Sequence, residues 1–237
     1  MAAISVQSVS KTFTMHLQGG AKFAALQDIS LAVESGTCVV LQGASGSGKS
    51  TLLKMIYGAY RCDAGQIYVQ DLEERVDVAT AGPRRILQLR RRSLGYVSQF
   101  LRAIPRVGAL ELVMGEARLC GIPDDKARKR ASELLERLNV PARLWDLAPA
   151  TFSGGEQQRV NIARGLVSSR PVLLLDETTA SLDATNRDAV EELIKERRGA
   201  GVAMLAILHD EIIRERVADR IFVMPTKCAD GATDGQS

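Results

Sequence analysis

The sequence is poor in the residues that build metal and disulfide sites. Its 237 residues include only four cysteines and two histidines. The cysteines lie far apart and form no C-x-x-C pair, so the sequence predicts neither a zinc site nor a disulfide framework. We expect free thiols in a reducing cytoplasm. The cysteines are Cys38, Cys62, Cys120 and Cys228.

Long apolar runs and a strong net charge are also lacking. A segment such as "VAMLAIL" (202–208) is far shorter than the ~20 residues of a membrane span and suits a buried strand. The first residues, "MAAISVQSVSK", have neither the basic start nor the apolar stretch of a secretory signal. A net charge of +3 is too weak to indicate nucleic-acid binding. We therefore expect a cytoplasmic protein without direct membrane insertion.

The first part of the chain is rich in segments typical of strands. Residues 4–9, 29–33 and 66–70 alternate apolar and polar side chains, which predicts an antiparallel layer. The segment "TCVVLQ" (37–42) is apolar enough to be a buried parallel strand. A helical apolar spacing follows it.

The rest of the chain changes from a helical pattern to an alternating one. Residues 86–166 are charged and helical in period, and strand-like and helix-like segments then alternate. Such alternation is typical of a parallel sheet with crossovers. We predict one α/β domain with a core over about 1–85 and 167–225, a helical subdomain over about 86–166, and a mobile tail over about 226–237.

The segment "GASGSGKS" (43–50) has the spacing G-x-x-x-x-G-K-[ST] between a predicted strand and a predicted helix. Its glycines let successive N–H groups point at an oxyanion, and the helix start adds partial positive charge. Lys49 can reach the β- and γ-phosphates, and the Ser50 hydroxyl can bind Mg²⁺. The sequence therefore predicts ATP binding. The predicted contacts are Gly43, Ala44, Ser45, Gly46, Ser47, Gly48, Lys49, Ser50 and Thr51.

Two adjacent carboxylates, Asp176 and Glu177, end the apolar run "VLLLDE". Acids at the end of a buried strand are costly unless a positive group meets them. Ligands collect at the carboxyl ends of parallel strands, where the phosphate loop should also lie. We expect Asp176 to hold Mg²⁺ and Glu177 to polarise the attacking water, which predicts hydrolysis in addition to binding.

The segment "FSGGEQQR" predicts a second helix start that could bind phosphate. Ser153 and Glu156 have the spacing of a capping box. Gly154 and Gly155 would lie in the first turn, where each costs up to about 1 kcal/mol relative to alanine. That cost is explained if bare backbone must approach a ligand closely.

These motifs together resemble the ABC-type ATPase family over nearly the whole chain. The set comprises "GASGSGKS", "GYVSQ" with Gln99, "SGGEQQR", "LLLDE", "SLD" (181–183) and "ILHD" with His209, in the family's order. The resemblance implies a P-loop NTPase core with an antiparallel β layer and a helical subdomain. It also implies a head-to-tail dimer that closes over two ATP molecules. The partner could be a second copy of the chain or a related ATPase subunit.

The resemblance also assigns roles to individual residues. In the signature Ser153–Glu156, the residues Ser153, Gly154 and Gly155 would contact the γ-phosphate bound by the partner's phosphate loop, and Glu156 would complete the capping box. His209 would contact the γ-phosphate, Gln99 the metal and the attacking water, and Asp183 the other protomer. Phe13 would stack on adenine, and the alternative is a core aromatic in a strand. The implied metal ligands are Ser50, Gln99 and Asp176.

Three longer segments (76–99, 95–114 and 144–165) resemble the ATP-binding subunit of bacterial phosphonate carbon–phosphorus lyase systems. That resemblance implies a bacterial ATPase that acts with the other lyase subunits in forming ribose methylphosphonate triphosphate. The main alternative is the motor of a lipoprotein-release or macrolide-export transporter with a separate permease. A third alternative is an ABC-type ATPase that does not drive transport and acts on ribosomes or DNA. The basic cluster 84–92 could bind an acidic partner or a phosphonate. Alternatively, it is a solvent-exposed helix face without a ligand.

One position departs from the family pattern. Thr178 follows the acid pair where most relatives have proline. Proline would fix φ near −65°, so threonine leaves this joint looser by an entropy on the order of 1 kcal/mol. We expect a change in the stiffness of the turn without loss of hydrolysis.

Overall fold

The computed structural model describes residues 2–15, 20–179 and 182–225, which form nine strands and seven α-helices. The strands are β1 (Ala2–Met15), β2 (Ala21–Glu34), β3 (Cys38–Gln42), β4 (Ala64–Asp71), β5 (Glu74–Asp77), β6 (Leu94–Val97), β7 (Val172–Asp176), β8 (Ala203–Ile207) and β9 (Arg220–Val223). The helices are α1 (Lys49–Ile56), α2 (Pro83–Arg92), α3 (Ala109–Leu119), α4 (Asp124–Arg137), α5 (Gly154–Leu166), α6 (Ala184–Gly199) and α7 (Glu211–Val217).

The centre of the fold is a five-stranded parallel sheet in the order β6-β7-β8-β3-β9. Every residue of β7 and β8 is buried, which explains why both strands are continuous apolar runs rather than alternating ones. Because the strands are parallel, their carboxyl ends meet at one edge. Asp176, the last residue of β7, and the loop after β3 therefore lie at the same edge of the sheet.

A four-stranded antiparallel sheet, ordered β2-β1-β4-β5, covers one face of this core. Its inward side chains pack with α1 and the near face of the parallel sheet in one apolar cluster. The structure thus confirms the predicted antiparallel layer. Its strand β5 was not predicted, because "ERVD" contributes only the side chain of Val76 to the core.

Helices α3, α4 and α5 pack together and, with α6, bury a second apolar cluster against the other face of the parallel sheet. The structure differs from the sequence-based prediction at the start of this layer. Residues 94–97, predicted as part of the helical subdomain that begins at 86, form β6, which pairs with β7 in the core sheet. The helical layer therefore begins after Val97. Four residues including one glycine were too few for a strand pattern to stand out from the flanking helices.

Three predicted features lie outside the described residues. They are Ser181 of the "SLD" segment, Cys228 and the tail 226–237. In the described part of the chain, no helix is both long and apolar enough to cross a membrane.

Two helical glycines allow a matched test of this packing. A Cβ on Gly165 of α5 would overlap Cγ2 of the buried Val97 on β6, whereas a Cβ on Gly115 of α3 would meet nothing within 4 Å. Gly165→Ala should lower the free energy of unfolding by about 1–3 kcal/mol through overpacking. Gly115→Ala should raise it by about 0.5–1 kcal/mol, because alanine favours the helix. Denaturant titrations of both variants check the pair, and a neutral Gly165→Ala would contradict the α5–β6 contact.

Candidate functional site

The candidate site is a cavity of about 370 Å³ at the carboxyl edge of the parallel sheet. The segment between β3 and α1 forms its floor, and side chains from β1, β2 and the ends of β7 and β8 form its walls. The predicted residues that line it are Phe13, Ser45, Gly46, Gly48, Lys49, Ser50, Thr51, Glu177 and His209. Phe13, the first residue of the sequence pattern, and His209, the last, therefore line the same cavity.

The phosphate loop has the backbone that its glycines predict. Gly46 and Gly48 have φ of 78° and 92°, in the left-handed region that favours glycine. A Cβ on Gly48 would lie 2.5 Å from the Ala25 carbonyl oxygen, so close packing against β2 also requires glycine there. The Lys49 ammonium donates to the carbonyl oxygens of Gly43 and Ala44 at 2.8 and 2.9 Å. Lys49 is thereby held over the loop, with α1 beginning at the same residue.

Asp176 is buried, with 3% of its surface exposed, and both of its oxygens accept hydrogen bonds. The Ser50 hydroxyl donates to Oδ1 at 2.9 Å, and the Tyr96 hydroxyl donates to Oδ2 at 2.6 Å. Burial, followed by the hydrogen bond to Asp176, raises the pKa of Tyr96, so the phenol stays protonated and remains a donor. The predicted metal ligands Ser50 and Asp176 are therefore adjacent, and both offer the oxygen atoms that Mg²⁺ prefers.

Glu177 turns its carboxylate away from the strand. Its φ of 53° is uncommon for a residue with a side chain, and its N–H donates to the Ile207 carbonyl oxygen of the neighbouring strand at 3.0 Å. Gln99 Nε2 donates to Oε2 at 2.7 Å, and His209 Nε2 lies 2.9 Å from Oε1. Gln99 and His209, grouped with Glu177 by the sequence pattern, thus each contact its carboxylate directly, and the three residues come from three separate segments of the chain.

The signature residues form the predicted capping box at the start of α5. Ser153 Oγ accepts from the Glu156 N–H at 3.3 Å, and the Glu156 carboxylate accepts from the Ser153 N–H at 2.9 Å. The Ser153 hydroxyl donates to the same carboxylate, and these bonds hold the pKa of Glu156 below its usual value. Ser153 and Gly154 are exposed, and no described residue of 153–156 lines the cavity that contains the phosphate loop.

Helix α5 is bonded to both loops that carry the candidate catalytic groups. Asn161 Nδ2 donates to the Ser98 carbonyl oxygen at 2.6 Å, next to Gln99. Gln158 Nε2 donates to the Thr178 carbonyl oxygen at 3.1 Å, next to Glu177. A displacement of α5 would therefore move the backbone next to both Gln99 and Glu177.

Thr178 and Asp183 each have a local structural role. Thr178 is 1% exposed, and its hydroxyl has no hydrogen-bond partner among the described residues. Asp183 caps α6, because its carboxylate accepts from the N–H and the side-chain amide of Asn186 at 2.9 and 2.8 Å. The predicted contact of Asp183 with a second protomer stays a prediction.

Sequence reasoning missed two aromatic residues of the site. Phe23 is the cross-strand partner of Phe13 and lines the same cavity, while Phe13 meets Tyr60 edge-on at 5.4 Å between ring centroids. Phe13 is half-buried, so it is not a core residue. The other missed residue is Tyr96, the partner of Asp176. Phe23 belongs to no motif, and Tyr96 lies in "GYVSQ", where only Gln99 has an assigned role. The strand register that brings both aromatic residues to the site is a tertiary feature.

Chemically, the cavity combines an anion-binding loop with the Glu177 carboxylate, and Asp176 lines the neighbouring cleft of about 670 Å³ together with Ser50 and Gln99. Backbone N–H groups, a helix start and Lys49 suit a chain of phosphates. One carboxylate is fixed by hydroxyl donors beside the Ser50 oxygen, and the other is oriented by Gln99 and His209. This arrangement is suited to phosphoryl transfer to water, which depends on positioning and charge stabilisation.

Comparison with known proteins agrees with this geometry. The family model described as "ABC transporter" matches residues 26–180. The lipoprotein-releasing system ATP-binding protein LolD of Paramagnetospirillum magneticum is 38% identical over 87% of this chain and 89% of its own. The macrolide export ATP-binding/permease protein MacB of Brucella melitensis is 38% identical over 92% of this chain, which spans 32% of that longer protein.

A solved structure is similar over the same extent. The ATP-binding cassette MJ0796, seen as a dimer in a post-hydrolysis state bound to ADP and Pi, superposes with a TM-score of 0.84 at 29% identity, covering 93% of this chain and 94% of that one. The family model, the curated relatives and the residues that line the cavity all support the same family assignment. The chain belongs to the ABC transporter family and is one of its ATP-hydrolysing cassettes.

Proposed function

We propose that this chain is the ATPase subunit of an ABC transporter and acts on a separate membrane permease. The observation that carries the proposal is the match to lipoprotein-releasing ATP-binding proteins, which extends over 87% of this chain and 89% of the relative. The permease of the macrolide-export relative, in contrast, is part of the same chain as its cassette, as its name states.

The residues present fit Mg²⁺ beside a bound triphosphate. The hydroxyl of Ser50 and the carboxylate of Asp176 are 2.9 Å apart, and Gln99 lines the same cleft as both of them. Ser50, Asp176 and Gln99 would hold the ion, and Lys49 would leave its loop carbonyls to contact the β- and γ-phosphates. When bound, Mg²⁺ neutralises charge on the transferred phosphoryl group.

Glu177 would orient the attacking water and take its proton. Two neighbours, Gln99 and His209, contact different oxygens of the carboxylate, so its orientation is fixed before a nucleotide binds. The left-handed backbone at Glu177 supports the same inference, because strained conformations cluster at functional sites. When a nucleotide binds, His209 would leave Glu177 Oε1 and contact the γ-phosphate, while Gln99 keeps the carboxylate oriented.

The second half of the site would come from another cassette. The capped start of α5 exposes Ser153 and Gly154, and nothing lies within 4 Å of a Cβ added to Gly154. A helix start that is both exposed and rich in glycine suits a phosphate held by a partner. The solved relative is a dimer, which supports this arrangement, with Asp183 near the junction.

The permease would bind at the Gln99 loop, residues 98–108, between β6 and α3. Phe100 and Ile104 of this loop are 74% and 53% exposed. Below the loop lies a cleft of about 670 Å³ lined by Tyr57, Tyr60 and several basic side chains. Apolar side chains over a cleft with polar groups are typical of a docking surface.

Participation in a carbon–phosphorus lyase complex is a second candidate. It rests on the resemblance of segments 76–99, 95–114 and 144–165 to the ATP-binding subunit of such systems. The comparisons do not support it, since the relatives that they return are ATP-binding proteins of lipoprotein release, macrolide export and methionine import. The transporter hypothesis is therefore the better supported of the two.

Nucleotide binding should depend on Lys49. Lys49→Ala removes a charged donor to the phosphates, worth about 1.5–3 kcal/mol, so the affinity for ATP should fall by about ten- to hundredfold. Lys54→Ala, on the same helix but not lining this cavity, is the matched control and should bind normally. Titration with a fluorescent ATP analogue measures both, and unchanged affinity in Lys49→Ala would remove the basis for the phosphate-loop assignment.

Hydrolysis should depend on Glu177 while binding does not. Glu177→Gln keeps the size of the side chain but removes the base, so ATP turnover should fall by about a hundredfold or more. The affinity for ATP should stay within about twofold, or about 0.4 kcal/mol, since the phosphate loop is unchanged. Glu211→Gln, at an exposed carboxylate, is the control. Wild-type turnover by Glu177→Gln would show that another group activates the water.

Affinity purification of the full chain from its native host tests the partner. We expect an integral membrane permease to co-purify, and Phe100→Asp to reduce its yield by at least about tenfold, because burial of a phenyl ring contributes about 2–3 kcal/mol. Ile212→Asp alters another exposed apolar residue, on α7, and should have no effect. Recovery of phosphonate-processing enzymes in place of a permease would favour the second candidate and reject the first.

A further inference from the structure

A second cavity, of about 500 Å³, lies at the amino edge of the parallel sheet, opposite the nucleotide site. It is enclosed by the segment before β7 and by the ends of α2 and α3, with α4 at one side. We call it the arginine cavity. It is lined by Arg91, Arg92, Arg130, Arg170, Ser168, Ser169, Cys120 and, at the rim, Leu72, Leu119 and Ile122.

Its lining carries four guanidinium groups and no carboxylate. Within the described residues, Arg91, Arg92 and Arg130 form no salt bridge, and Arg130 donates only weakly to Ser169 Oγ at 3.5 Å. Arg170 is paired with Glu116 at 2.6 Å, and the other three arginines are exposed, so the cavity has an excess of positive charge that a bound anion would balance.

Two buried polar groups of the cavity lack partners. The Ser168 hydroxyl belongs to a residue that is 5% exposed and has no hydrogen-bond partner among the described residues. Arg170 is 9% exposed, and although its Nη2 donates to Glu116 at 2.6 Å, its Nε is unpaired. Buried donors without partners are costly, so a ligand that accepts from both would remove that cost.

The favourable interaction of arginine with the carbonyl end of a helix accounts for only two of the four arginines. Arg91 and Arg92 lie in the last turn of α2, where positive charge is favourable beside the helix carbonyl groups. That reason does not apply to Arg130, which lies in the middle of α4, or to Arg170, which is in no helix. The four arginines come from three separate segments, and their meeting point is the cavity.

We propose that the arginine cavity binds a small organic molecule carrying a phosphoryl or phosphonyl group. Guanidinium groups match the oxygens of such a group in pairs, and serine hydroxyls donate to the remaining ones. A dianion suits four positive charges better than a single carboxylate does. Leu72, Leu119 and Ile122 offer apolar contacts to the organic part, and the volume is that of a small-molecule site. The site shares no lining residue with the cavity of the phosphate loop, and only Arg170 also borders the cleft below the Gln99 loop, so the proposal does not depend on the transporter role.

Cys120 gives a readout of occupancy at the cavity itself. The thiol is half-buried and lines the cavity, and burial raises its pKa, so alkylation by the uncharged reagent iodoacetamide is best followed at a fixed alkaline pH. The full chain is first saturated with Mg²⁺ and a non-hydrolysable ATP analogue, which fills the γ-phosphate position, so that added phosphate cannot act through the phosphate loop. The rate at Cys120 is then read by peptide mass spectrometry with inorganic phosphate or propylphosphonate, against chloride at equal ionic strength.

We expect either probe to slow alkylation of Cys120 by at least about fivefold, with propylphosphonate effective at a lower concentration because its chain adds apolar contact. Arg130→Gln, at an exposed position that leaves the fold intact, should raise the half-protecting concentration by at least about tenfold, since it loses a charge-assisted hydrogen bond. Ser168→Ala should raise it by a smaller factor. Arg84→Gln, on α2 but outside the cavity, is the matched control and should protect as the native chain does.

Three results would overturn the proposal. One is the absence of protection by both probes up to about 20 mM, a concentration that corresponds to binding weaker than about 2.5 kcal/mol. The second is equal protection in the native chain and in Arg130→Gln. The third is protection by an acidic peptide such as oligoglutamate but not by either probe, which would assign the cavity to a protein partner.

Discussion

The site depends on how the chain accommodates two acids at the end of a buried strand. Asp176 has a carboxyl group that is almost fully buried, which is costly unless hydrogen bonds compensate it. Two hydroxyl groups provide them: that of Ser50, from the helix after the phosphate loop, and that of Tyr96, from the neighbouring strand β6. The Asp176 carboxylate at the end of β7 is therefore bonded to α1 through Ser50 and to β6 through Tyr96. The left-handed turn at Glu177 then directs the second acid towards Gln99 and His209.

Helix α5 extends this arrangement across the molecule. Its first turn is exposed and capped, while its body donates hydrogen bonds to the backbone beside Gln99 and beside Glu177. The segment that would contact a partner's nucleotide is thus rigidly joined to the groups that would act on the chain's own nucleotide. This connection gives a physical route by which dimer closure and the Gln99 loop could affect hydrolysis, without any contact between Ser153 and Glu177.

The sequence predicted those parts of the site whose chemistry is local. Glycine spacing at 43–50, the capping box at 153–156 and the acids that end β7 each follow from short-range rules, and the structure has them as expected. It could not show β6, since "LGYV" is too short to stand out between two helical segments. Tyr96 and Phe23 were missed for a related reason, because strand register alone brings them to the site.

The central claim is that Ser50 and Asp176 together hold a metal ion on a bound triphosphate, and electron paramagnetic resonance with Mn²⁺ in place of Mg²⁺ tests it most directly. We predict one Mn²⁺ per bound ATP, with hyperfine coupling to phosphorus. Ser50→Ala and Asp176→Asn should each weaken its binding by at least about tenfold, or about 1.4 kcal/mol. Asp183→Asn should leave it unchanged. Tight Mn²⁺ binding with the same phosphorus coupling in both Ser50→Ala and Asp176→Asn would contradict the account.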